Sequence, residues 1–325
     1  MTKTILVSGA SGIVGYGTLK SLRMADEDYK LIGTTVYDDS VAPAFCDVFE
    51  RAPYTTDPTY IDWLCGVIAK HKVDMVIPGI NDDTLKWNQC RAQLEATGAK
   101  PLLNNPELID LCADKWLFYQ KLHQNGSKYL IESRLAGAFV ELKSAYGLPF
   151  LLKPRRGFAS KGIVIVDSEE IFNEHKADIG EVLMAQPIVG SEDAEYTISA
   201  FFDDNSELRC LMGLRRRLAK EGFTEKAVVE MPLHGEQAIT ELSALLKPIG
   251  PTNFQFRMHD GELKLLEINA RISSATSIRA RFGYNESSMA VDYFLGGIVP
   301  KQPEIRCGHA VRYTEDHIFY DGYTV

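Results

Sequence analysis

The sequence predicts an α/β lobe built on a parallel sheet, followed by smaller α+β lobes, and three observations predict it. Short apolar runs alternate with helical patterns over the first hundred residues, paired strand patterns take over from Pro149, and a turn signal at Asn104-Asn105-Pro106 separates the two regimes. Apolar runs of this kind between helices imply a parallel sheet covered on both faces. The elements read, in order, as a strand at Thr4 to Val7, a helix from Ile13 to Met24, and a strand at Leu31 to Val36. A helix at Tyr60 to Lys70, a strand at Met75 to Ile77 and a helix at Asp83 to Ala96 follow. This is a Rossmann-like lobe. Asn104 to Leu122 carries helical spacing through Leu108, Leu111, Trp116 and Tyr119. Strands are then expected at Phe150 to Lys153, Ile163 to Val166, Val182 to Gln186, Tyr196 to Phe202 and Leu208 to Leu214. A helix near Glu236 to Leu246 leads to a hairpin of Phe254 to Met258 and Leu263 to Ile268, joined across Asp260-Gly261.

The chain has 325 residues, 45% hydrophobic and 24% charged, enough for two or three compact lobes. Its start has no charged segment, long apolar run or cleavage site of a signal peptide, and no apolar run reaches membrane-spanning length. Six scattered cysteines show no paired spacing, so reduced thiols, a cytoplasmic location and no zinc site are expected. A net charge of −9 argues against nucleic acid and anionic membrane as partners. Against that background two basic clusters stand out, Arg215-Arg216-Arg217 with Lys220, and Lys153, Arg155, Arg156 and Lys161. They are expected to meet a small anion.

Three segments carry chemistry. Gly9-Ala-Ser-Gly12-Ile-Val-Gly15 follows a strand and opens a helix, so its amides could cradle a phosphate, with Asp38 placed for a ribose. That pattern also fits a nicotinamide-dependent epimerase or reductase. Such an enzyme needs a Tyr-x-x-x-Lys pair, and the match, Tyr16 with Lys20, lies inside the first helix. Close packing of strand and helix is the plain structural reason for such glycines.

The second segment, Phe150 to Ile163, sets Lys153 at the end of an apolar strand, before a loop holding Gly157, Ser160, Lys161 and Gly162. A lysine on a strand holds charge fixed against a phosphate, and loop amides and a hydroxyl can cover the terminal phosphates. In the third, Glu267, Asn269 and Arg271 are spaced by two along one strand and share a face, with Gln255 on the preceding strand. Glu267, Asn269 and Gln255 supply the one carboxylate and neutral oxygens that Mg2+ accepts beside phosphates and water.

With these residues the chain resembles the ATP-grasp superfamily, in the branch of the carbamoyl phosphate synthetase large subunit and the pyrrolysine-biosynthesis ligase. The resemblance rests on Asp114-Lys115, Leu152-Lys153-Pro154 with its glycine loop, Glu195-Tyr196, Gln255-Phe256 and Glu267-Ile-Asn-Ala-Arg271. It implies a Rossmann-like domain over 1–108, an ATP-grasp N-lobe over 109–188, and a C-lobe with the metal site over 189–325. Lys115 and Lys153 become phosphate-binding cations and Gly157 to Gly162 the lid. The adenine lies against Met184, Gln186 and Ile188, and the ribose near Glu195. Gln255, Glu267 and Asn269 hold magnesium, two ions with nucleotide bound, and Arg271 steadies the transferring phosphate. Arg215, Arg216, Glu225 and Lys226 resemble the stretch bordering the substrate pocket. The activity implied is ATP-dependent joining of a small carboxylate to an amine or related nucleophile through an acyl phosphate, by a protein that could be a homodimer. A noncatalytic nucleotide-binding subunit is the other reading of the same residues. Gln186 departs from the glutamate of many members. The chain is too short for two tandem synthetase halves and has no glutaminase portion, so carbamoyl phosphate synthesis by this chain alone is not expected.

The metal reading also demands a hairpin register. A two-residue turn at Asp260-Gly261 would set Gln255 opposite Leu266, away from Glu267, so a three-residue loop, Asp260 to Glu262, is expected.

Overall fold

A computed structural model describes residues 2–157 and 162–320. Its first sheet is parallel. It is built from β1 (Thr4–Val7), β2 (Lys30–Thr35), β3 (Val48–Arg51), β4 (Met75–Ile77) and β5 (Lys100–Pro101), in the order β3-β2-β1-β4-β5. Between them lie α1 (Ile13–Leu22), α2 (Tyr60–His71), α3 (Asn81–Gln89) and α4 (Arg91–Glu95). Strand alternation divides the apolar residues between two cores. Leu6, Ile32 and Val76 pack with α2 on one face, and Ile5, Val7, Leu31, Met75 and Ile77 pack on the other. β3 and β5 were not legible as strands: Val48–Arg51 is only half-buried and half of it is charged, and Lys100–Pro101 is two residues long.

Two helices replace the single helical stretch expected after Asn104. Pro106 opens α5 (Pro106–Cys112), which Asn105 caps, and Asp114 caps α6 (Lys115–Gln124) by accepting from the Trp116 amide at 2.9 Å. The small lobe follows, with α7 (Phe139–Tyr146), β6 (Phe150–Pro154), β7 (Val164–Val166), α8 (Glu169–His175) and β8 (Leu183–Pro187). Its antiparallel sheet runs β7-β6-β8. It has a core of its own, where Phe139, Leu142, Phe150, Leu152 and Phe172 meet.

The third sheet is antiparallel. Its strands are β9 (Glu195–Phe202), β10 (Leu208–Leu218), β11 (Thr224–Val229) and, after α9 (Gly235–Leu246), β12 (Gly250–His259) and β13 (Glu262–Asn269). Helices α10 (Thr276–Arg281) and α11 (Glu286–Gly296) and the short strand β14 (His309–Val311) end the described fold, and the sheet order is β13-β12-β9-β10-β11-β14. Phe201, Met212 and Ile278 share a core with Ile5 and Val7, so this sheet and the parallel one are packed through common apolar contacts.

The hairpin corrects the expected loop. Its turn is the two-residue Asp260-Gly261, with φ of 49° and 81°, and His259 pairs with Glu262. Gln255 nevertheless pairs with Glu267, because Leu266 is an extra residue on β13 between Leu265, opposite Phe256, and Glu267. The extra residue sits in the strand instead of the turn. The bulge reverses the alternation, so Leu263, Leu265 and Ile268 are buried and Lys264 need not be.

Candidate functional site

A cavity of about 380 Å³ lies where the three sheets converge. β6 brings Lys153, α6 Lys115, β8 Gln186 and Pro187, β9 Glu195, β10 Arg216, β12 Gln255 and Arg257, and β13 Glu267 and Asn269. Arg271, Ser273 and Ser274 follow from the turn after β13, while Gly12, Ile13, Val14, Gly79 and Asn81 come from the turns and helix starts that follow β1 and β4. Those strands are neighbours in the parallel sheet whose chains leave in opposite directions, the crevice where open α/β sheets bind ligands. A smaller recess of about 60 Å³, walled by Cys112, Phe118, Tyr119 and Leu122, opens on the same lysines and Glu267.

The cations here differ in what occupies them. The Lys115 ammonium donates to the Gly157 carbonyl at 2.6 Å, and among the described residues Lys153 reaches only the Leu266 carbonyl, at 3.5 Å. Burial pulls Lys153 down to about 8, the neighbouring Glu267 carboxylate opposing it, and burial lowers Lys115 as well. Arg271 is held by Asn81 Oδ1, which accepts from its Nε at 2.6 Å, and by the Ile272 carbonyl at 2.7 Å. Burial brings it to about 10, so it stays charged at neutral pH.

The arginines of the two basic clusters are all held in ion pairs. Arg215 pairs with Glu230 at 2.8 Å, Arg216 with Glu195 at 3.0 Å and Arg217 with Asp193 at 2.6 Å. Of these only Arg216 lines the cavity, as alternation along β10 requires; Arg215, Glu225 and Lys226 do not. Arg155 and Arg156 likewise both reach Asp114 Oδ2, at 2.9 and 3.0 Å, and fasten the end of β6 to the cap of α6. Burial works to raise Asp114, but these contacts and the helix amides hold it below the usual carboxylate range.

Glu195 is buried and engaged on both oxygens. Oε1 accepts from Arg216 and Oε2 from Arg257 Nε, the latter at 3.0 Å. A ribose hydroxyl there would have to share an oxygen already held by an arginine. Gln255 Oε1 accepts from Arg216 Nη2. Glu267 Oε1 accepts from the Asn269 amide at 3.3 Å, which leaves Glu267 Oε2 and Asn269 Oδ1 without partners among the described residues. No group of three or more His, Cys, Asp and Glu assembles as ligands among those residues. One carboxylate with amide oxygens, beside lysines placed for phosphates, suits Mg2+, which completes its shell with phosphate and water. The less available oxygen of the three expected ligands is that of Gln255.

Along the expected adenine strand, Gln186 faces the cavity and donates to Ser133 Oγ at 2.8 Å, whereas Met184 and Ile188 do not line it and Pro187 and Val189 do. Gly157 lines the cavity and Gly162 does not; Ser160 and Lys161 lie outside the described residues. Asn81, Arg257 and Ser273 were missed. Strand alternation from Gln255 could have found Arg257, but Asn81 comes from another lobe and no local signal marks it.

The first glycine turn is largely a packing device. A Cβ on Gly15 would stand 2.2 Å from the Gly9 carbonyl oxygen, and one on Gly79 2.0 Å from that of Ser8. Tyr16 stacks on Phe45 at 5.4 Å, Lys20 lies 5.7 Å over the same ring, and Asp38 pairs with Arg51 at 2.7 Å. These groups are engaged with one another.

The fold is that of ATP-grasp proteins. The chain is similar in sequence to part of that superfamily and is distantly related to the carbamoyl phosphate synthase large chain. A family model described as ATP-grasp in the biosynthetic pathway with Ter operon matches residues 182–317. The carbamoyl phosphate synthase large chain of Thermomicrobium roseum is 24% identical over 238 residues, 65% of this chain and 22% of its own length. That of Methanosphaerula palustris is 26% identical over 271 residues, 75% of this chain and 25% of its own. The chain thus spans about a quarter of these relatives. Among solved structures, N5-carboxyaminoimidazole synthetase of Staphylococcus aureus complexed with ADP is similar with a TM-score of 0.72 at 16% identity, over 94% of this chain and 81% of that one. Biotin carboxylase of Campylobacter jejuni in its β-γ-ATP complex gives 0.71 at 17% identity, over 95% and 74%. At such identities the likeness concerns the fold. No helix among the described residues is long and apolar enough to cross a membrane.

Proposed function

We propose that this protein is an ATP-dependent ligase that activates a small carboxylate as its acyl phosphate and transfers the acyl group to an amine or related nucleophile. The observation that carries the reading is the convergence of Lys115, Lys153, Glu267, Asn269 and Arg271 on one cavity from three separate parts of the chain. In this reading residues 1–108 form the wall opposite the nucleotide, 109–188 cover it, and 189–325 supply the metal-binding strand.

Lys153, fixed on β6, and Lys115, at the start of α6, would bind the phosphates. The base would lie along Gln186, Pro187 and Val189. Glu267 and Asn269, with Gln255 as a third donor, would hold Mg2+, which would supply positive charge against the phosphates. The substrate carboxylate attacks the γ-phosphorus in line, the bond to ADP breaks, and Arg271 meets the charge spreading over the transferred group. The amine then attacks the acyl carbon and phosphate leaves. Positioning and fixed charge do most of the work.

The test is ADP release from Mg-ATP across carboxylate and amine libraries, with thermal stabilisation by Mg-ATP as the binding control. Acid-dependent ADP release with amide formation is the expected result. Failure of Mg-ATP to bind would remove the nucleotide reading, and binding without turnover on any acid would leave a noncatalytic nucleotide-binding protein.

A further inference from the structure

Behind the cavity a charged pair is sealed from solvent. Arg279 on α10 and Glu286 at the start of α11 are both 0% exposed and stand 3.5 Å apart. Glu286 also accepts from the Ser199 hydroxyl. Arg279 Nη2 donates to Thr197 Oγ1 at 3.0 Å and to Asn253 Oδ1 at 2.9 Å, and its Nη1 donates to Ser273 Oγ at 2.6 Å. A buried guanidinium is costly unless it is fully used, and replacing such pairs by apolar residues is often neutral or stabilising. The burial therefore asks for a reason beyond stability.

Ser273 supplies one. It is 5% exposed, yet it lines the cavity two residues after Arg271. Its Oγ accepts twice, from Arg279 Nη1 at 2.6 Å and from the Ala275 amide at 3.3 Å. A hydroxyl has two lone pairs and one proton. With both lone pairs taken the group can only donate, and its proton has no acceptor among the described residues. Arg271 has spent Nε on Asn81 and Nη1 on the Ile272 carbonyl, leaving Nη2 without a partner among those residues.

We propose that the buried Arg279–Glu286 pair is a positioning device that forces Ser273 to donate into the cavity, so that Ser273 Oγ–H and Arg271 Nη2 together form a clamp for an oxyanion. The ligand class is a carboxylate or the phosphoryl group it receives. The clamp rests on the proposed ligase reading for its role in turnover, while its ability to bind an oxyanion rests on the donors alone. Arg279 acts through Ser273 and touches no substrate.

Inorganic phosphate is the probe, titrated calorimetrically into the full chain, with ADP titrated separately. The wild type binds phosphate. Ser273→Ala weakens it about tenfold or more, since a donor to a charged group is lost, and leaves ADP affinity within about twofold. Ser273→Thr keeps the hydroxyl and stays close to wild type. Arg279→Lys, which restores one donor in place of several, falls between wild type and Ser273→Ala. Ser277→Ala, on α10 and away from the cavity, changes neither titration. Equal phosphate affinity in wild type and Ser273→Ala overturns the clamp. So does an equal fall in phosphate and ADP affinity, which a purely structural role of Ser273 would give, and so does a wild type that does not bind phosphate. If ADP fails to bind while phosphate affinity still depends on Ser273, the clamp stands and the nucleotide reading falls.

Discussion

Gln255 and Glu267 are cross-strand partners on β12 and β13, and Leu266 is the unpaired residue that makes them so across a two-residue turn. Their side chains reach one cavity because the bulge reverses the alternation of β13 just before the acid. The turn and the bulge are separable devices.

Gly261 has φ of 81°, and a Cβ there would meet nothing within 4 Å. Gly261→Ala is therefore expected to cost about 1–2 kcal/mol, the left-handed backbone term alone, without steric relief elsewhere. Urea unfolding reads it directly. A loss below a few tenths of a kcal/mol would mean that the turn can take another geometry.

Lys153→Ala is expected to lower Mg-ATP affinity and turnover together, because a fixed charge serves ground state and transition state alike. Unchanged calorimetric binding would remove Lys153 from the site.

Glu267→Gln is expected to keep the fold and much of the nucleotide affinity while turnover falls by on the order of a hundredfold, as a metal carboxylate is lost. Activity equal to the parent at saturating Mg2+ would refute the assignment.

Lys153 also sets a pH dependence. Burial pulls it to about 8 against the Glu267 carboxylate, so the ammonium is charged below that pH and neutral above it. ATP affinity should decline as pH rises through 8, and Lys153→Arg should flatten the profile. The stability of the unliganded protein moves the other way. The folded pKa lies below the unfolded value of about 10.4, so the unfolded chain holds the proton more tightly between the two. This group's contribution to stability is least favourable below pH 8, where both states are charged, and improves as pH rises towards the unfolded value. A pH-independent affinity in wild type would show that the ammonium keeps its charge.

Glu195 is held between Arg216 and Arg257, with Arg216 as buried as the acid. Glu195→Ala strands the buried guanidinium and should cost about 3–5 kcal/mol, read by urea unfolding, with Glu195→Gln milder. A cost under about 1 kcal/mol would show that water reaches Arg216.

Sequence alone determined what local chemistry can dictate. Period-two alternation put Glu267 and Asn269 on one strand face, with Arg271 following in the turn, apolar runs between helices required a covered parallel sheet, and the Asn105-Pro106 start ended one regime and began another. These are properties of a few adjacent residues and need no partner. Tertiary structure decided the rest. A run of arginines on β10 looks like one basic patch, yet three different carboxylates on other elements occupy it, and only packing decides which cation is left over. The bulge at Leu266 is set by how β13 meets β12, since buried apolar residues at 263, 265 and 268 cannot share one face without an extra residue. Asn81 meets Arg271 across 190 positions of chain, a contact that exists only once the parallel sheet docks on the antiparallel one. Charges act through space and not along sequence, so which residues can serve a ligand is known only after every other ion pair has been made.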